Sequence, residues 1–329
     1  MKRLTSSHQL PTRRKKFRLS LPSRVLNLGE RTLVMGVLNV TPDSFSEQGI
    51  YFDRHAAIAR GLEMEREDAD ILDIGGESTR PGAQPVDERE EMDRTIPVIE
   101  ALRRKGLRIP ISIDTYKASV AERALEAGAE IVNDVSGLRH DARLASVVAR
   151  HRAALVLMHM RGDPRTMQQL PTLKKIIPAI RTGLAASLRR ALRAGVEKRR
   201  IVLDPGIGFG KSVEQNFEIL RNLGSFASLG CPILVGPSRK SFLRRTIEEG
   251  RNRAALRVPM VPQDRGATER ERSAGQRSPK RDCAPENLLF GTAAAVSAAI
   301  LNGAHIVRVH DVREMVVVVR ITDLLVVRS

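Results

Sequence analysis

From Thr32 onward the chain repeats one pattern: a short apolar run, a polar turn, then a longer amphipathic stretch. The apolar runs are Leu33–Leu38, Ile71–Ile74, Pro110–Ile113, Glu130–Val132, Ala153–Met158, Ile201–Leu203, Pro232–Val235 and His305–Val309. Each is short and rich in Val, Ile or Leu at successive positions, the pattern of a parallel strand buried on both faces. Helical patterns follow over Arg54–Glu67, Asp87–Lys105, Tyr116–Ala127, Asp141–Arg150, Leu173–Ala194, Val213–Asn222, Asn287–Asn302 and Val312–Val327. Gly128-Ala129, Gly195 and Gly303-Ala304 stand where helices should stop, since glycine accepts the left-handed backbone of a helix end. Eight strand–helix units in local order predict an α/β fold of the (β/α)8 TIM-barrel type in a single domain. A doubly wound open sheet is the alternative, and eight units favour closure.

Two segments fall outside this rhythm and change the reading of charge. Residues 1–30 lack periodicity, and their first 24 residues carry Lys2, Arg3, Arg13, Arg14, Lys15, Lys16, Arg18 and Arg24 with no acid. They read as a basic, flexible, solvated tail. Arg251–Pro285 is rich in Arg, Pro, Gly, Ser and Gln, with nine basic and four acidic side chains over residues 251–282. It reads as a disordered, Arg-rich insertion in the seventh unit, between strand seven and the helix that completes it. These two stretches hold most of the net charge of +17, so the body of the chain is nearly balanced. Nucleic-acid binding is therefore not indicated, and aromatics at 3% are too scarce to interleave with the basic residues.

Two cysteines, Cys231 and Cys283, cannot form a disulfide framework, which points to a reduced, cytoplasmic compartment. No apolar run approaches the ~18 residues of a membrane-spanning helix. The basic start lacks the apolar stretch of a secretory signal, although an Arg-rich, acid-free start is also the composition of an organelle transit peptide.

A barrel carries its chemistry at the carboxyl ends of its strands. There the sequence places Asn39, Asp73, Asp114, Asn133, His159, Asp204, Ser238 with Lys240, and Arg308 with His310. Any one of these is readily a cap or turn residue. Eight in series, all predicted to project into one mouth, are not. The mixture of carboxylates, an amide and a lysine suits a flat polar heterocycle. Arg308 and His310 alternate at the end of the last strand, just before a helix N-terminus, a favourable place for phosphate. No nucleophile elbow, HExxH or paired Cys/His spacing is present. The stretch Asp204-Pro205-Gly206-Ile207-Gly208-Phe209-Gly210-Lys211-Ser212 only imitates a phosphate-cradling GxxxxGK[ST] loop, because Pro205 stands where the first glycine is needed. Loops one and two, around Asn39–Ser46 and Gly75–Gly82, are long and rich in Gly, Pro and small polar residues, and Phe45, Arg80 and Pro81 are placed to cap a substrate.

At these residues the chain resembles the dihydropteroate synthase family of pterin-binding enzymes. The resemblance rests on MGVLNVTPDSFS (35–46), DIGGESTRPGA (73–83), ISIDT (111–115), IVNDVSG (131–137), LMHMRGDPRTMQ (157–168), LDPGIGFGK (203–211), GPSRKSF (236–242), GTAAAV (291–296) and VRVHDV (307–312). It implies a pterin-binding barrel over 31–329 that condenses a 7,8-dihydropterin-6-ylmethyl diphosphate with 4-aminobenzoate and releases diphosphate, the folate-pathway step that sulfonamides target. It also implies that Asp114, Lys240 and Arg308 are catalytic, that Asp114, Asn133, Asp204 and Lys240 hold the pterin, and that Asp73 lies in the same pocket. Arg308, His310 and Thr79 are implied to contact the diphosphate and Asn39 to ligate Mg2+. Phe45, Arg80, Pro81, Phe209 and Ser241 are implied to form the aminobenzoate site, and a homodimer through the final helices is implied as well. Glu47 stands where the family usually has Asp, Leu173 where it often has an aromatic, and the 251–285 insertion has no counterpart in a typical member. A catalytically silent pterin-binding barrel, serving as partner or regulator, is the rival reading. The intact set of ligand residues argues against it.

Overall fold

Alternation along each strand decides which side chains fill the barrel and which face the helices. The computed structural model describes residues 14–41, 50–78, 82–163, 166–167, 170–255 and 284–326. A two-stranded hairpin, β1 (Phe17–Ser20) and β2 (Val25–Leu28), precedes the barrel strands. These are β3 (Leu33–Asn39), β4 (Ile71–Gly75), β5 (Ile111–Asp114), β6 (Ile131–Asp134), β7 (Ala154–Met158), β8 (Ile201–Asp204), β9 (Leu234–Val235) and β10 (Ile306–Val309). All eight are parallel, in the order β8-β7-β6-β5-β4-β3-β10-β9. A parallel bridge between Leu203 and Ile233 closes the ring, with the Leu203 N–H donating to the Pro232 carbonyl at 2.9 Å. The eight predicted strands and the predicted closure are both found.

The helices are α1 (Ile50–Arg66), α2 (Glu88–Arg104), α3 (Ala118–Glu126), α4 (Leu144–Arg150), α5 (Ile176–Arg193), α6 (Val213–Arg221), α7 (Ser241–Ala255), α8 (Pro285–Leu301) and α9 (Val312–Leu325). Their starts are encoded locally. Asp87 caps α2 by accepting from the Glu90 N–H, and Ser212 and Gln215 cap α6 reciprocally. Outward strand residues such as Val34, Leu72, Ile113, Val132 and Leu155 pack under the helices. Inward residues near the amino ends, among them Met35, Ile71, Ile131, Val156, Val202 and Ile306, form a separate apolar floor. Nearer the carboxyl ends the same inward face turns polar.

The sequence reading needs two corrections. Residues 1–30 are not all a solvated tail, because the hairpin seats Leu19, Leu21 and Leu28 against the barrel floor. Burying each contributes roughly 2 kcal/mol. Arg14 is buried too. Its guanidinium bonds Asp323 of α9, Thr32 and the Ala304 carbonyl, while Asp323 also accepts from the Thr32 N–H. The second correction concerns unit seven, which contains two helices. Helix α7 takes in the first five residues assigned to the insertion, and α8 starts at its last, Pro285. The remainder, 256–283, lies outside the described residues, as do 1–13.

His305 ties the hairpin to the ring. Its Nδ1 accepts the Ile233 N–H at 3.1 Å, which leaves Nε2 to donate to the Lys15 carbonyl at 3.0 Å. Burial pushes its pKa down to about 4, and nearby Arg14 adds to the effect. The unfolded chain takes a proton near pH 6.5 that the folded chain refuses until about pH 4, so this stability is present above pH 6.5 and lost as pH falls through that window. The full effect is about 3 kcal/mol. We expect His305→Asn, which keeps an acceptor and cannot titrate, to show a shallower fall in Tm between pH 6.5 and 4 than the parent. Parallel Tm profiles would refute the assignment.

Candidate active site

The inward face at the carboxyl ends presents Asn39 from β3, Asp73 from β4, Asp114 from β5, Asn133 from β6, Asp204 from β8 and Arg308 from β10. Strand register sets their neighbours: Asp114 lies across from Gly75 on one side and Asn133 on the other. The Arg308 guanidinium reaches across the mouth, donating from Nε to Asp73 Oδ2 at 2.6 Å and from Nη2 to Asp114 Oδ2 at 2.7 Å. Asn133 Nδ2 donates to the same Asp73 oxygen at 3.0 Å. One oxygen of each carboxylate is thus engaged. Asp73 Oδ1 and Asp114 Oδ1 are buried with no hydrogen-bond partner. Buried acceptors left in this state are costly unless a ligand supplies the donors.

Burial pushes the Asp114 carboxyl up to about 7 against the opposing pull of Arg308, and the Asp73 charge pushes the same way as burial. Burial opposes the Arg308 charge, yet Asp73 and Asp114 together raise its pKa. Lys240 is pushed down to about 8 by burial and by Arg308, with Asp204 and Asp114 opposing. Asp204 is raised by burial, although its Oδ1 accepts the Gly206 N–H at 2.6 Å. Lys240 Nζ sits 3.9 Å from the Phe209 ring centroid, a cation–π contact. It fits because residue 208 is glycine: a Cβ there, at φ +84, would lie 2.9 Å from Lys240 Cδ. Val135, Met158, Met160, Met167 and Phe209 form an apolar ledge beside these charges. The mouth therefore combines unmet acceptors, cations and an apolar wall, which suits a flat, polar ring system.

His310 Nδ1 lies 3.1 Å from Ser238 Oγ, which also accepts the His310 N–H at 3.2 Å. Burial, Arg308 and Arg239 push the His310 pKa down to about 3, so it is neutral at pH 7. Ser241 opens α7 and is exposed. Asn39 is half-buried at the rim, and a Cβ added at Gly75 would lie 3.9 Å from its Oδ1 and 3.8 Å from Asp114 Oδ2. His159 departs from the expected projection into the mouth. Its ring turns outward, where a Cβ on Gly183 of α5 would be 2.6 Å from it, and only its backbone serves the site. Phe45, Thr79, Arg80 and Pro81 lie outside the described residues.

Sequence reasoning missed a buried ion cluster three residues beyond Asp114. Lys117 Nζ donates to Glu77 Oε2 and Glu91 Oε2, both at 2.5 Å, and to the Val86 carbonyl at 2.6 Å; the Tyr116 hydroxyl donates to Glu77 Oε1 at 2.6 Å. The cluster joins the β5–α3 connection to both ends of the β4–α2 connection. Its members belong to different units, so no spacing in the chain marks it. A cavity of about 530 Å³ lies at the opposite, amino end, lined by Arg24, Arg103, Glu130 and His151. There Glu130 is already engaged by the Ser23 hydroxyl.

A sequence profile described as pterin binding enzyme matches residues 35–310. Dihydropteroate synthase of Synechocystis is 42% identical over 307 residues, covering 93% of this chain and 94% of the relative. Among solved structures, the dihydropteroate synthase of Clostridium difficile, determined in the presence of pteroic acid, superposes with a TM-score of 0.75 at 42% identity, covering 91% of this chain and 98% of that one. The Xanthomonas albilineans dihydropteroate synthase with 4-aminobenzoic acid gives 0.76 at 36% identity, covering 96% and 100%.

The bridging guanidinium has a direct test. Arg308→Met leaves Asp73 and Asp114 without their cation, and folded Asp114, already raised by burial, then binds its proton still more tightly than in the unfolded chain. Urea unfolding at pH 8 should show a loss of about 3 kcal/mol, the usual cost of breaking a buried ion pair. The loss should shrink at pH 5.5 as Asp114 takes up its proton. An unchanged midpoint at pH 8 would show that Arg308 does not support the mouth.

Proposed function

Because the chain belongs to the dihydropteroate synthase family of pterin-binding enzymes, we propose that its barrel mouth joins a 7,8-dihydropterin-6-ylmethyl diphosphate to 4-aminobenzoate, giving 7,8-dihydropteroate and diphosphate. The observation that carries this reading is the pair of buried, unpartnered oxygens on Asp73 and Asp114, set in a charged mouth beside an apolar ledge. The pterin ring offers an amino group and ring N–H donors to such acceptors. Asp114, Asn133, Asp204 and Lys240 hold that ring, with Asp73 in the same pocket. The family resemblance assigns Arg308, His310 and Thr79 to the diphosphate, and Phe45, Arg80, Pro81, Phe209 and Ser241 to the aminobenzoate.

The chemistry needs no protein nucleophile. The bond between the exocyclic methylene carbon and the diphosphate oxygen breaks as positive charge spreads from that carbon into the ring. Asp114 favours the developing cation, and Arg308 and Lys240 favour the departing anion. The arylamine lone pair then forms the C–N bond, and the amine proton leaves to solvent. Among the described residues no cluster of three His, Cys, Asp or Glu side chains is placed to cage a metal. Mg2+ commonly takes one or two protein oxygens and fills its remaining positions with water and substrate phosphate. Asn39 Oδ1, at the rim beside Gly75 and the Asp114 carboxylate, is a hard oxygen donor of this kind. When bound, Mg2+ neutralises charge on the leaving diphosphate.

The decisive assay is diphosphate release with both substrates and Mg2+. Release should require 4-aminobenzoate, stop with chelator, and fall at least about 100-fold in Asp114→Ala, within the range for loss of one electrostatic group. Release absent from the parent protein while pterin diphosphate still binds would favour the silent barrel.

We also propose a homodimer through α8 and α9. Phe290, Val317, Ile321, Leu324 and Leu325 are all more than half exposed there, the type of apolar patch that marks an interface. Ile321→Arg with Leu324→Arg should convert a dimer to a monomer in light scattering. A parent already monomeric at micromolar concentration would refute this assembly.

A further inference from the structure

Lys211 is a buried cation beside the mouth whose ammonium is turned to the protein backbone, and its surroundings point to a different task. Its side chain is buried, and its ammonium is enclosed by backbone carbonyls: Gly206 at 2.6 Å, His159 at 2.9 Å and Phe209 at 3.0 Å. An ammonium has three N–H donors, and here each has its own acceptor. Burial pushes the Lys211 pKa well down while Asp204 opposes this. Only the protonated form can satisfy all three carbonyls.

The three acceptors come from two connections. His159 directly follows β7, whereas Gly206 and Phe209 lie on either side of the bend in the β8–α6 loop. The loop is wound tightly about this point: the Phe209 N–H donates to the Gly206 carbonyl at 3.2 Å, and a Cβ on Gly206 would lie 2.0 Å from the His159 carbonyl oxygen. Fixing the Phe209 carbonyl fixes the residue whose ring lies against Lys240. The backbone of Asp204 is held independently by the β8 ladder, while its Oδ1 accepts the Gly206 N–H.

We propose that Lys211 is a positioning residue: its ammonium pins the β8–α6 loop to the end of β7 and so sets the Phe209 ring on the aminobenzoate side, while leaving the pterin side to Asp204, Asp114 and Asn133. The inference rests on the substrate assignment above. It predicts a split between the two substrates, which a role confined to general stability would not produce.

The test compares the parent, Lys211→Met, Phe209→Ala and the double variant, each first shown to be folded by its thermal transition. Expected in Lys211→Met is pterin diphosphate binding by calorimetry within about threefold of the parent, with KM for 4-aminobenzoate raised roughly tenfold. The double variant should be no worse than Phe209→Ala by more than about threefold, because residues acting through one contact are not additive. The proposal is overturned by an unchanged KM, by equal losses for both substrates, or by additive losses. If Lys211→Met does not fold, Lys211→Gln, which keeps two donors, is measured by the same criteria; failure of both to fold assigns Lys211 to stability alone and overturns the proposal. An activity-free readout separates this idea from the reaction itself. In protein labelled with 4-fluorophenylalanine, the Phe209 resonance should shift or broaden in the Lys211 variant, and an unmoved resonance overturns the pin. A parent that releases no diphosphate would sink the substrate assignment while leaving the fluorine result to judge the pin.

Discussion

A guanidinium held between two carboxylates organises the open end of this barrel. Parallel closure brings β10 beside β3, so that a long side chain on β10 can cross to β4 and β5. Two buried carboxylates need a compensating cation, and Arg308 bonds both Asp73 and Asp114. The pairing is incomplete by design of the geometry: each carboxylate gives one oxygen to Arg308 and keeps the other buried and unmet. A fully satisfied triad would be structural. The half-satisfied one can both hold the mouth together and accept donors from a ligand.

The rest of the barrel makes that arrangement effective. Its inward face runs from an apolar floor, sealed by Leu19, Leu21 and Leu28 of the hairpin, to a polar mouth. Apolar packing beneath the charges lowers the local dielectric, which strengthens the pull of Arg308 on its carboxylates and the shifts of Asp114 and Lys240 toward neutral pH. The same seal depends on residues far from the chemistry. Arg14 and Asp323 fasten the incoming chain to α9, and His305 fastens it to β9. The lower end of the barrel thus supports the charge balance at its upper end.

Much of this was legible in the sequence because parallel strands leave a strong local signal. Eight β-rich runs, each ending in a polar residue, gave the strand count, closure and most of the mouth: Asn39, Asp73, Asp114, Asn133, Asp204, Lys240 and Arg308 all lie there. What escaped was non-local. The hairpin strands are four residues each and sit among cations, so only docking on the floor reveals which of their leucines are buried. Helix α7 has only a short apolar stripe, Phe242, Leu243 and Ile247, among Arg244, Arg245, Glu248 and Glu249, and it runs into the basic segment, which hid its pattern. His159 looked like its neighbours at the strand ends, yet it follows the inward Met158 and therefore turns outward, as period-two alternation requires. The Lys117 cluster joins three connections that are remote in sequence, and no periodicity encodes it.

The β8–α6 loop shows how similar residues serve opposite ends. Glycines followed by Gly210-Lys211-Ser212 suggest a phosphate cradle, but a cradle works by turning backbone N–H groups inward toward an anion. Around Lys211 the carbonyls of His159, Gly206 and Phe209 turn inward instead. A ring of carbonyls attracts a cation, and the loop carries its own. With Pro205 lacking an N–H and Gly206 donating to Asp204, the first turn has no free amide for phosphate. The lysine that a cradle would lend to a ligand therefore binds its own backbone. Arg308, by contrast, turns its guanidinium into the mouth, where it bonds Asp73 and Asp114.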